Sequence, residues 1–275
     1  MIPPIVRPAR RLRRVPQGLP LRAVAPNAVT ALALCSGLSG VRFAIAGEWQ
    51  SAVAMIMIAG VLDGIDGRIA RLLHGESRFG AELDSLSDAI SFGVAPALIM
   101  YLWSLAALPR IGWMCSLLLA VFCALRLARF NARIDTTDQP HKSAGFNTGV
   151  PAPAGAGLAL LPMILWFWTD EPLFASPYLV APWVAGVALL MVSSVATFSW
   201  SSLRLRRTIR FEAIAGVVLL GAALVSAPWQ TLSAVCLAYL LTLPFSIASY
   251  GRVKRRATAE RLREPIPERE PTPSA

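Results

Sequence analysis

Apolar positions in this sequence come in long runs, and short polar segments separate most of these runs. The runs are roughly 20 residues long, about the length that a helix needs to cross the hydrocarbon core of a bilayer. Their pattern predicts an all-α integral membrane protein with about eight helices. The runs are 26–46, 50–72, 84–104, 109–130, 150–168, 178–200, 212–227 and 229–250. The last two are short and flank Ala227-Pro228-Trp229, so a single broken or re-entrant pair is the alternative there.

The two ends of the chain differ in composition from the region between them. Residues 1–25 are rich in Pro and Arg and predict a basic segment on the cytoplasmic membrane surface. Residues 26–250 predict one membrane domain, because only a few residues remain between most runs and no separate soluble domain fits. Residues 251–275 are charged and end in the Pro-rich string EPIPEREPTPSA, so they predict a disordered cytoplasmic tail.

The net charge of +10 raises the question of a nucleic-acid partner. If the N-terminus is cytoplasmic and each run crosses once, all basic residues except Arg42 and Arg110 fall on the cytoplasmic side. Such a bias sets the orientation of membrane proteins, and basic segments beside membrane helices attract anionic lipid headgroups. The charge therefore predicts cytoplasmic termini and contact with membrane lipids, and it gives no support for a nucleic-acid partner.

Composition agrees with a membrane protein, since 55% of the residues are hydrophobic, too many for a soluble globular domain. All four cysteines lie inside apolar runs and none has CxxC spacing. They are interpreted as small apolar packing residues rather than as disulfide or metal-binding residues.

Four aspartates interrupt this apolar pattern at the ends of the second and third runs. Asp63 and Asp66 are three apart, and Asp84 and Asp88 are four apart, so each pair lies on one helical face. A short loop, roughly 73–81, folds the third helix back beside the second, so both pairs meet at the cytoplasmic boundary. Four such carboxylates repel one another unless cations neutralise them. The set suits two hard divalent ions, Mg²⁺ or Mn²⁺, which would clamp a phosphate group undergoing displacement.

The residues beside the aspartates agree with a phosphate ligand. Gly67 would let a ligand approach the helix backbone, and the guanidinium of Arg71, one turn further on, can hold a diphosphate oxygen. Arg68 and Arg78 are interpreted as topological anchors.

A longer pattern includes all these residues. The string Asp63-x2-Asp66-Gly67-x2-Ala70-Arg71-x8-Gly80-x3-Asp84-x3-Asp88 resembles the signature of the CDP-alcohol phosphatidyltransferases at every fixed position. The resemblance implies a membrane enzyme with a six-helix core, here with about two additional C-terminal helices, which usually forms a homodimer. It also implies that the first three aspartates bind metal, and that Asp88 is the general base and contacts the second metal.

The same resemblance implies a set of contacts to the CDP-lipid. Pro26-Asn27-x2-Thr30 resembles the family's element near the nucleotide, although a polar cap at a helix start is the alternative for this shorter pattern. The implied CDP-lipid contacts are Asn27, Thr30, Gly67, Arg71, Ser77 and Gly80.

Further stretches resemble the membrane-integral phosphatidylserine synthases within this family. They are residues 77–88, residues 91–97, Ala128-Arg129-Phe130-Asn131 and residues 146–154. This resemblance implies transfer of the phosphatidyl group of CDP-diacylglycerol to L-serine, with release of cytidine monophosphate (CMP), in the bacterial inner membrane. Serine carries a carboxylate, and Arg126, Arg129 and Asn131 end the fourth run on the side of the aspartates. We expect one of these arginines to pair with that carboxylate; positive-inside anchoring is the alternative.

Two other functions remain open at this point. An acceptor such as glycerol 3-phosphate or an inositol phosphate would use the same chemistry. A cation transporter would also place aspartates in membrane helices, although transport sites usually lie near the bilayer midplane.

Overall fold

A computed structural model describes residues 21–73, 75, 77–134, 146–193, 196–198 and 210–261, and these residues are helical almost throughout. The first helices are α1 (Leu21–Ile45), α2 (Trp49–Leu73), α3 (Arg78–Asp88), α4 (Ala95–Trp103) and α5 (Ile111–Ile134). The later helices are α6 (Ala152–Thr169), α7 (Pro172–Ala175), α8 (Pro177–Val192), α9 (Arg210–Ser226) and α10 (Pro228–Arg261). A 3₁₀ turn covers Leu105–Ala107.

Prolines and positive-φ residues set the helix ends. Pro172, Pro177 and Pro228 each begin a helix, where the missing N–H is not needed. Gly47, at φ +76°, turns the chain between α1 and α2, and Asp170, at φ +55°, ends α6 in the left-handed conformation.

The third long helix is interrupted by a π-helical segment, Ala89–Val94, between α3 and α4. In this segment the backbone N–H of Ala95 donates to the carbonyl of Ile90. Pro96 follows directly, and in a regular α-helix its ring would press on the carbonyl of Phe92 and leave that carbonyl without its donor. The wider π turn accommodates the proline, and it lies immediately after Asp88.

The apolar core lies between α2, α4, α5, α6 and α8. Ile56, Met100, Leu119, Leu160 and Val184 are all at most 1% exposed within it. On the other side of the bundle, α1 packs along α2 and against α3 and α4.

The prediction of a helical membrane protein is confirmed. Four helices in the described part of the chain are long and apolar enough to cross a membrane: Val24–Ile45, Arg78–Trp103, Ile111–Ala132 and Ala152–Thr169. Pro177–Val192 and Ala215–Ser226 are shorter apolar helices. The division into six core helices and two additional ones stays a prediction.

Three local expectations are corrected. The third helix begins at Arg78, before the predicted run, because Ser77 caps it. The sixth run does not stay helical to residue 200. Instead, α8 ends at Val192, and Ala196–Phe198 forms a strand that pairs antiparallel with Phe146–Thr148. The last helix continues to Arg261, so residues 251–261 are helical rather than disordered. The N-terminal segment before Leu21 and the tail beyond Arg261 lie outside the described residues.

The final two apolar runs form two helices. α9 ends at Ser226, α10 begins at Pro228, and the two pack against each other. Ala227 is the only residue between them, so the turn is tight.

Candidate active site

The aspartates come together where α2 faces α3. Oxygen atoms of Asp63, Asp66 and Asp84 all lie within 4.8 Å of one another. Asp66 is 4% exposed, although it is a carboxylate on a helix with few buried residues. The three- and four-residue spacings therefore bring the side chains of two antiparallel helices into one cluster.

Asp88 joins this cluster through Asp63. The side chains of Asp63 and Asp88 are in hydrogen-bonding contact. Asp88 lies one turn further along α3 than Asp84. The family resemblance sets Asp88 apart from the first three aspartates. In the structure, Asp63, Asp66 and Asp84 form a close set, and Asp88 contacts this set through Asp63.

Thr30 of α1 holds Asp66 in place. Its hydroxyl lies 2.6 Å from Oδ2 of Asp66 and 3.1 Å from the carbonyl oxygen of Pro26. A hydroxyl has one proton, and the shorter contact to the carboxylate is the stronger one. The expected contact of Thr30 with the CDP-lipid stays a prediction. The structure adds that its hydroxyl orients one carboxylate of the cluster.

α1 is fastened to the third long helix by two serines. Ser87 donates to the carbonyl oxygen of Thr30 at 3.3 Å, and Ser91 donates to that of Ala33 at 3.4 Å. A Cβ at Gly37 would meet the Cα of Ser91 at 2.8 Å, so only glycine permits this approach. These contacts fix Thr30 relative to the aspartates.

A cavity of about 290 Å³ opens beside the carboxylates. It is near the lower end of the range for small-molecule sites, about 300–1,000 Å³. All six residues expected to contact a CDP-lipid line it together with Asp66 and Asp84. The six are Asn27, Thr30, Gly67, Arg71, Ser77 and Gly80. Ala70, Gly75 and Ala81 complete its wall with Pro26, and they keep it open by their small size.

The two glycines of this wall differ in what surrounds them. A Cβ at Gly67 would meet nothing within 4 Å, so this glycine leaves space on the cavity side of α2. A Cβ at Gly80 would lie 2.8 Å from Oδ1 of Asn27 and 3.1 Å from Oγ of Ser77. Gly80 also donates its backbone N–H to Ser77, which caps α3. Gly80 and Ser77 thus shape the start of α3 as well as line the cavity.

The three candidates on α5 have different surroundings. Arg129 is exposed and donates from Nη1 to the carbonyl oxygen of Val192, at the end of α8. Asn131 donates to Oγ of Ser85 at 2.9 Å. Arg126 is partly buried and interacts electrostatically with Cys123, Asp88 and Tyr239.

Tyr239 was not anticipated, since it lies on α10, where no motif was found. Its phenol is close enough to Arg126 to interact with it electrostatically. The last helix therefore contributes to the surroundings of the site. A lone tyrosine in an apolar run carries no sequence signal for such a role.

The residues present fit a divalent metal ion. Three clustered carboxylates offer the hard, anionic oxygen ligands that Mg²⁺ and Mn²⁺ prefer. The hydrogen bond from Thr30 to Asp66 is the kind of outer contact that orients a metal ligand.

Comparison with known proteins agrees with this geometry. A profile described as CDP-alcohol phosphatidyltransferase matches residues 23–200. The chain belongs to this family. A second profile, CDP-alcohol phosphatidyltransferase 2, matches residues 209–244. The chain is thus a membrane enzyme that transfers a phosphate-containing group.

Its relatives carry specific names. A protein of Mycobacterium bovis named CDP-diacylglycerol–serine O-phosphatidyltransferase is 38% identical over 226 residues, which cover 82% of this chain and 79% of the relative. A protein of the same name from Mycobacterium leprae is 39% identical over 230 residues, covering 82% of this chain and 74% of the relative. The archaetidylserine synthase of Methanothermobacter thermautotrophicus is 33% identical over 177 residues, which cover 62% of this chain and 67% of the relative.

Proposed function

We propose that this enzyme transfers the phosphatidyl group of CDP-diacylglycerol to L-serine, giving phosphatidylserine and CMP. The observation that carries the proposal is the carboxylate cluster on the wall of a cavity that Gly67, Arg71 and Thr30 also line. Serine as the acceptor is supported by the names of the two mycobacterial relatives and by that of the archaeal relative.

We propose that Asp63, Asp66, Asp84 and Asp88 hold two divalent ions, Mg²⁺ or Mn²⁺. When bound, such ions neutralise charge on the phosphate oxygens of a CDP-lipid. Thr30 keeps Asp66 turned toward the cluster. The hydrogen bond from Ser87 of α3 to the carbonyl oxygen of Thr30 fixes the distance between α1 and α3.

The cavity residues orient the CDP-lipid in this proposal. Arg71 supplies a guanidinium whose fork matches the diphosphate oxygens. Gly67 leaves room for the diphosphate against α2, and Asn27 and Ser77 offer polar groups at the opening between α1 and α3. The acyl chains remain among the exposed apolar side chains of the helices.

Asp88 serves as the general base. The hydroxyl oxygen of serine forms a bond to the lipid-side phosphorus, and the bond from that phosphorus to the bridging oxygen breaks. CMP leaves with the electron pair of the broken bond, and Asp88 takes the proton of the hydroxyl. Asp88 lies beside the closest set of three carboxylates rather than within it, which supports a role different from theirs.

One assay tests the acceptor. Purified enzyme in detergent with CDP-diacylglycerol and Mg²⁺ or Mn²⁺ is offered serine, glycerol 3-phosphate or an inositol phosphate, and CMP release is measured. Release with serine alone is the expected result. Release with a phosphorylated acceptor and not with serine would assign the enzyme to another branch of the family.

We further propose that the site faces the cytoplasm from the bacterial inner membrane and that the enzyme is a homodimer. The distribution of arginine and lysine supports the orientation, and the family resemblance supports the dimer. A reporter fused after residue 261 should be active only in the cytoplasm. Light scattering of the purified enzyme should give twice the chain mass.

A further inference from the structure

We propose that Arg126 binds the carboxylate of the acceptor amino acid and so makes the enzyme select serine over amino alcohols. The proposal rests on the proposed function, which is transfer to serine. It singles out one of the three polar candidates on α5 and gives the other two a structural role.

One donor of Arg126, its Nε, has no partner among the described residues. It belongs to the apolar helix Ile111–Ala132 and is partly buried. No acceptor among the described residues lies within hydrogen-bond distance of its Nε, and this atom is inaccessible to solvent. Buried charged donors are rarely left unpaired. An anionic ligand would supply the missing acceptor.

The packing of α5 against the π-helical segment Ala89–Val94, which directly follows Asp88, places this arginine beside the proposed base. A Cβ at Gly93 would lie 2.9 Å from Cβ of Cys123, and Asn131 is bonded to Ser85 at 2.9 Å. The third long helix, made of α3 and the π-helical segment, is therefore antiparallel to α5, and these two contacts enclose a short interval of each helix. Arg126 lies within that interval on α5, as Asp88 does on α3, and the two interact electrostatically.

This juxtaposition matches the chemistry of serine. The hydroxyl and the carboxylate of serine are separated by only two carbon atoms. A serine whose hydroxyl faces Asp88 therefore brings its carboxylate close to a cation adjacent to Asp88. The planar guanidinium fork binds carboxylates through paired hydrogen bonds.

The other two candidates already have partners. Arg129 is bonded to the last turn of α8 through the carbonyl of Val192, and Asn131 is bonded to Ser85. Both tie the end of α5 to its neighbours. They would have to break these bonds to reach a substrate.

The competing role for Arg126 is that of a counter-ion that only positions Asp88. The two roles predict different kinetics. A counter-ion affects turnover with every acceptor alike, whereas a carboxylate ligand affects only acceptors that carry a carboxylate.

The first experiment uses the wild-type enzyme with serine, serinamide and ethanolamine at saturating CDP-diacylglycerol. Removing the acceptor's carboxylate should lower kcat/KM by at least about 30-fold, the cost of losing one partner of a buried charge pair. Equal kcat/KM for serine and serinamide would overturn the proposal, whatever any variant does.

The second experiment repeats these measurements with Arg126→Gln and Arg126→Lys. Arg126→Gln should lower kcat/KM for serine by at least about 30-fold, leave the values for serinamide and ethanolamine within about 3-fold, and keep the KM for CDP-diacylglycerol. Arg126→Lys should retain part of the discrimination, because it keeps the charge and loses the fork. Arg110→Gln, a matched control in the turn before α5, should behave as wild type.

The outcomes separate the two proposals. If wild-type enzyme releases no CMP with serine, the proposed function fails first. If it uses serine and Arg126→Gln lowers kcat/KM for all three acceptors equally, Arg126 is a positioning residue and the carboxylate proposal is wrong. If size-exclusion chromatography shows that Arg126→Gln is misfolded, the wild-type comparison of serine with serinamide and the Arg126→Lys variant still test the carboxylate proposal.

Discussion

Helices α6 and α2 are both glycine-containing, apolar and central to the bundle, yet they are packed in opposite ways. Most of α6 is buried, including the continuous stretch Gly155–Ile164. α2 buries only a few side chains, and one of these is Asp66. α6 holds the helices of the core together through close packing, whereas α2 leaves part of one face unpacked, and the cavity beside the carboxylates lies there.

The glycines of the two helices show the same contrast. A Cβ at Gly155 would come within 2.6 Å of Sδ of Met191, so this glycine lets α6 approach α8. Cβ atoms at Gly64 and Gly67 would meet nothing within 4 Å. One residue type therefore serves close helix contact in one region and open space in the other.

The largest expected effect comes from a substitution at the carboxylate cluster beside α2 that removes a proton acceptor without changing the shape of the site. Asp88→Asn should lower kcat by about 10²–10⁴-fold, because the amide cannot accept the proton of serine. Thermal stability and the KM for CDP-diacylglycerol should be unchanged. Glu82→Gln, on the exposed side of the same helix, is the control. A variant with near wild-type turnover would show that another group is the base.

A substitution in the closely packed helix α6 should have the opposite effect, on stability rather than on turnover. Leu160→Ala on α6 removes a fully buried side chain and should lower the free energy of unfolding by about 2–5 kcal/mol. Unfolding in detergent measures this loss, and KM values well below the transition temperature should stay unchanged. Leu189→Ala, at a position that is 59% exposed, provides the matched control. A large change in KM with no loss of stability would show that α6 belongs to the active site rather than to the packed core.

The contact between α1 and the cluster can be tested with one hydroxyl. Thr30→Val removes the hydrogen bond to Asp66 and should weaken metal affinity by about 10–100-fold, as the loss of such outer contacts does. Titration of activity with Mg²⁺ or Mn²⁺ should show the shift, and high metal should recover the rate. Ser39→Ala on the same helix loses only a bond to the carbonyl of Cys35, so its titration should match wild type. Unchanged metal dependence of Thr30→Val would mean that Asp66 needs no such support.

The smallest expected effect distinguishes the two uses of glycine. Gly67→Ala should raise the KM for CDP-diacylglycerol on the order of 10-fold while stability is kept, because its methyl group enters the cavity. Gly37→Ala should instead lower stability by about 1–3 kcal/mol, since its methyl group meets the backbone of Ser91. The idea fails if both variants change the same quantity.

The carboxylate cluster was predictable because it depends on local geometry. Three- and four-residue spacing puts Asp63 beside Asp66 and Asp84 beside Asp88, and a short loop brings the two helices together. The π-helical segment after Asp88 was not anticipated. Pro96 carries the local signal for it, but a proline inside an apolar run equally well predicts a kink or a helix end.

The strand pairing of Phe146–Thr148 with Ala196–Phe198 was missed for a different reason. The hydrophobic pattern of 178–200 suits a helix to its end, and the partner strand lies far away in sequence. Long-range pairing of this kind leaves little trace in the local pattern.

By itself, the sequence determined that the chain is a helical membrane protein, which basic residues follow the hydrophobic runs, and which carboxylates interrupt them, because hydrophobic run length and helical spacing are local properties. Only the tertiary structure decided which polar residues find partners within the fold. Arg126 and Arg129 are equivalent in sequence, one turn apart on one helix. They differ because α8 offers Arg129 a carbonyl at its C-terminus. Arg126 instead lies beside Asp88 of α3, and its Nε has no acceptor among the described residues.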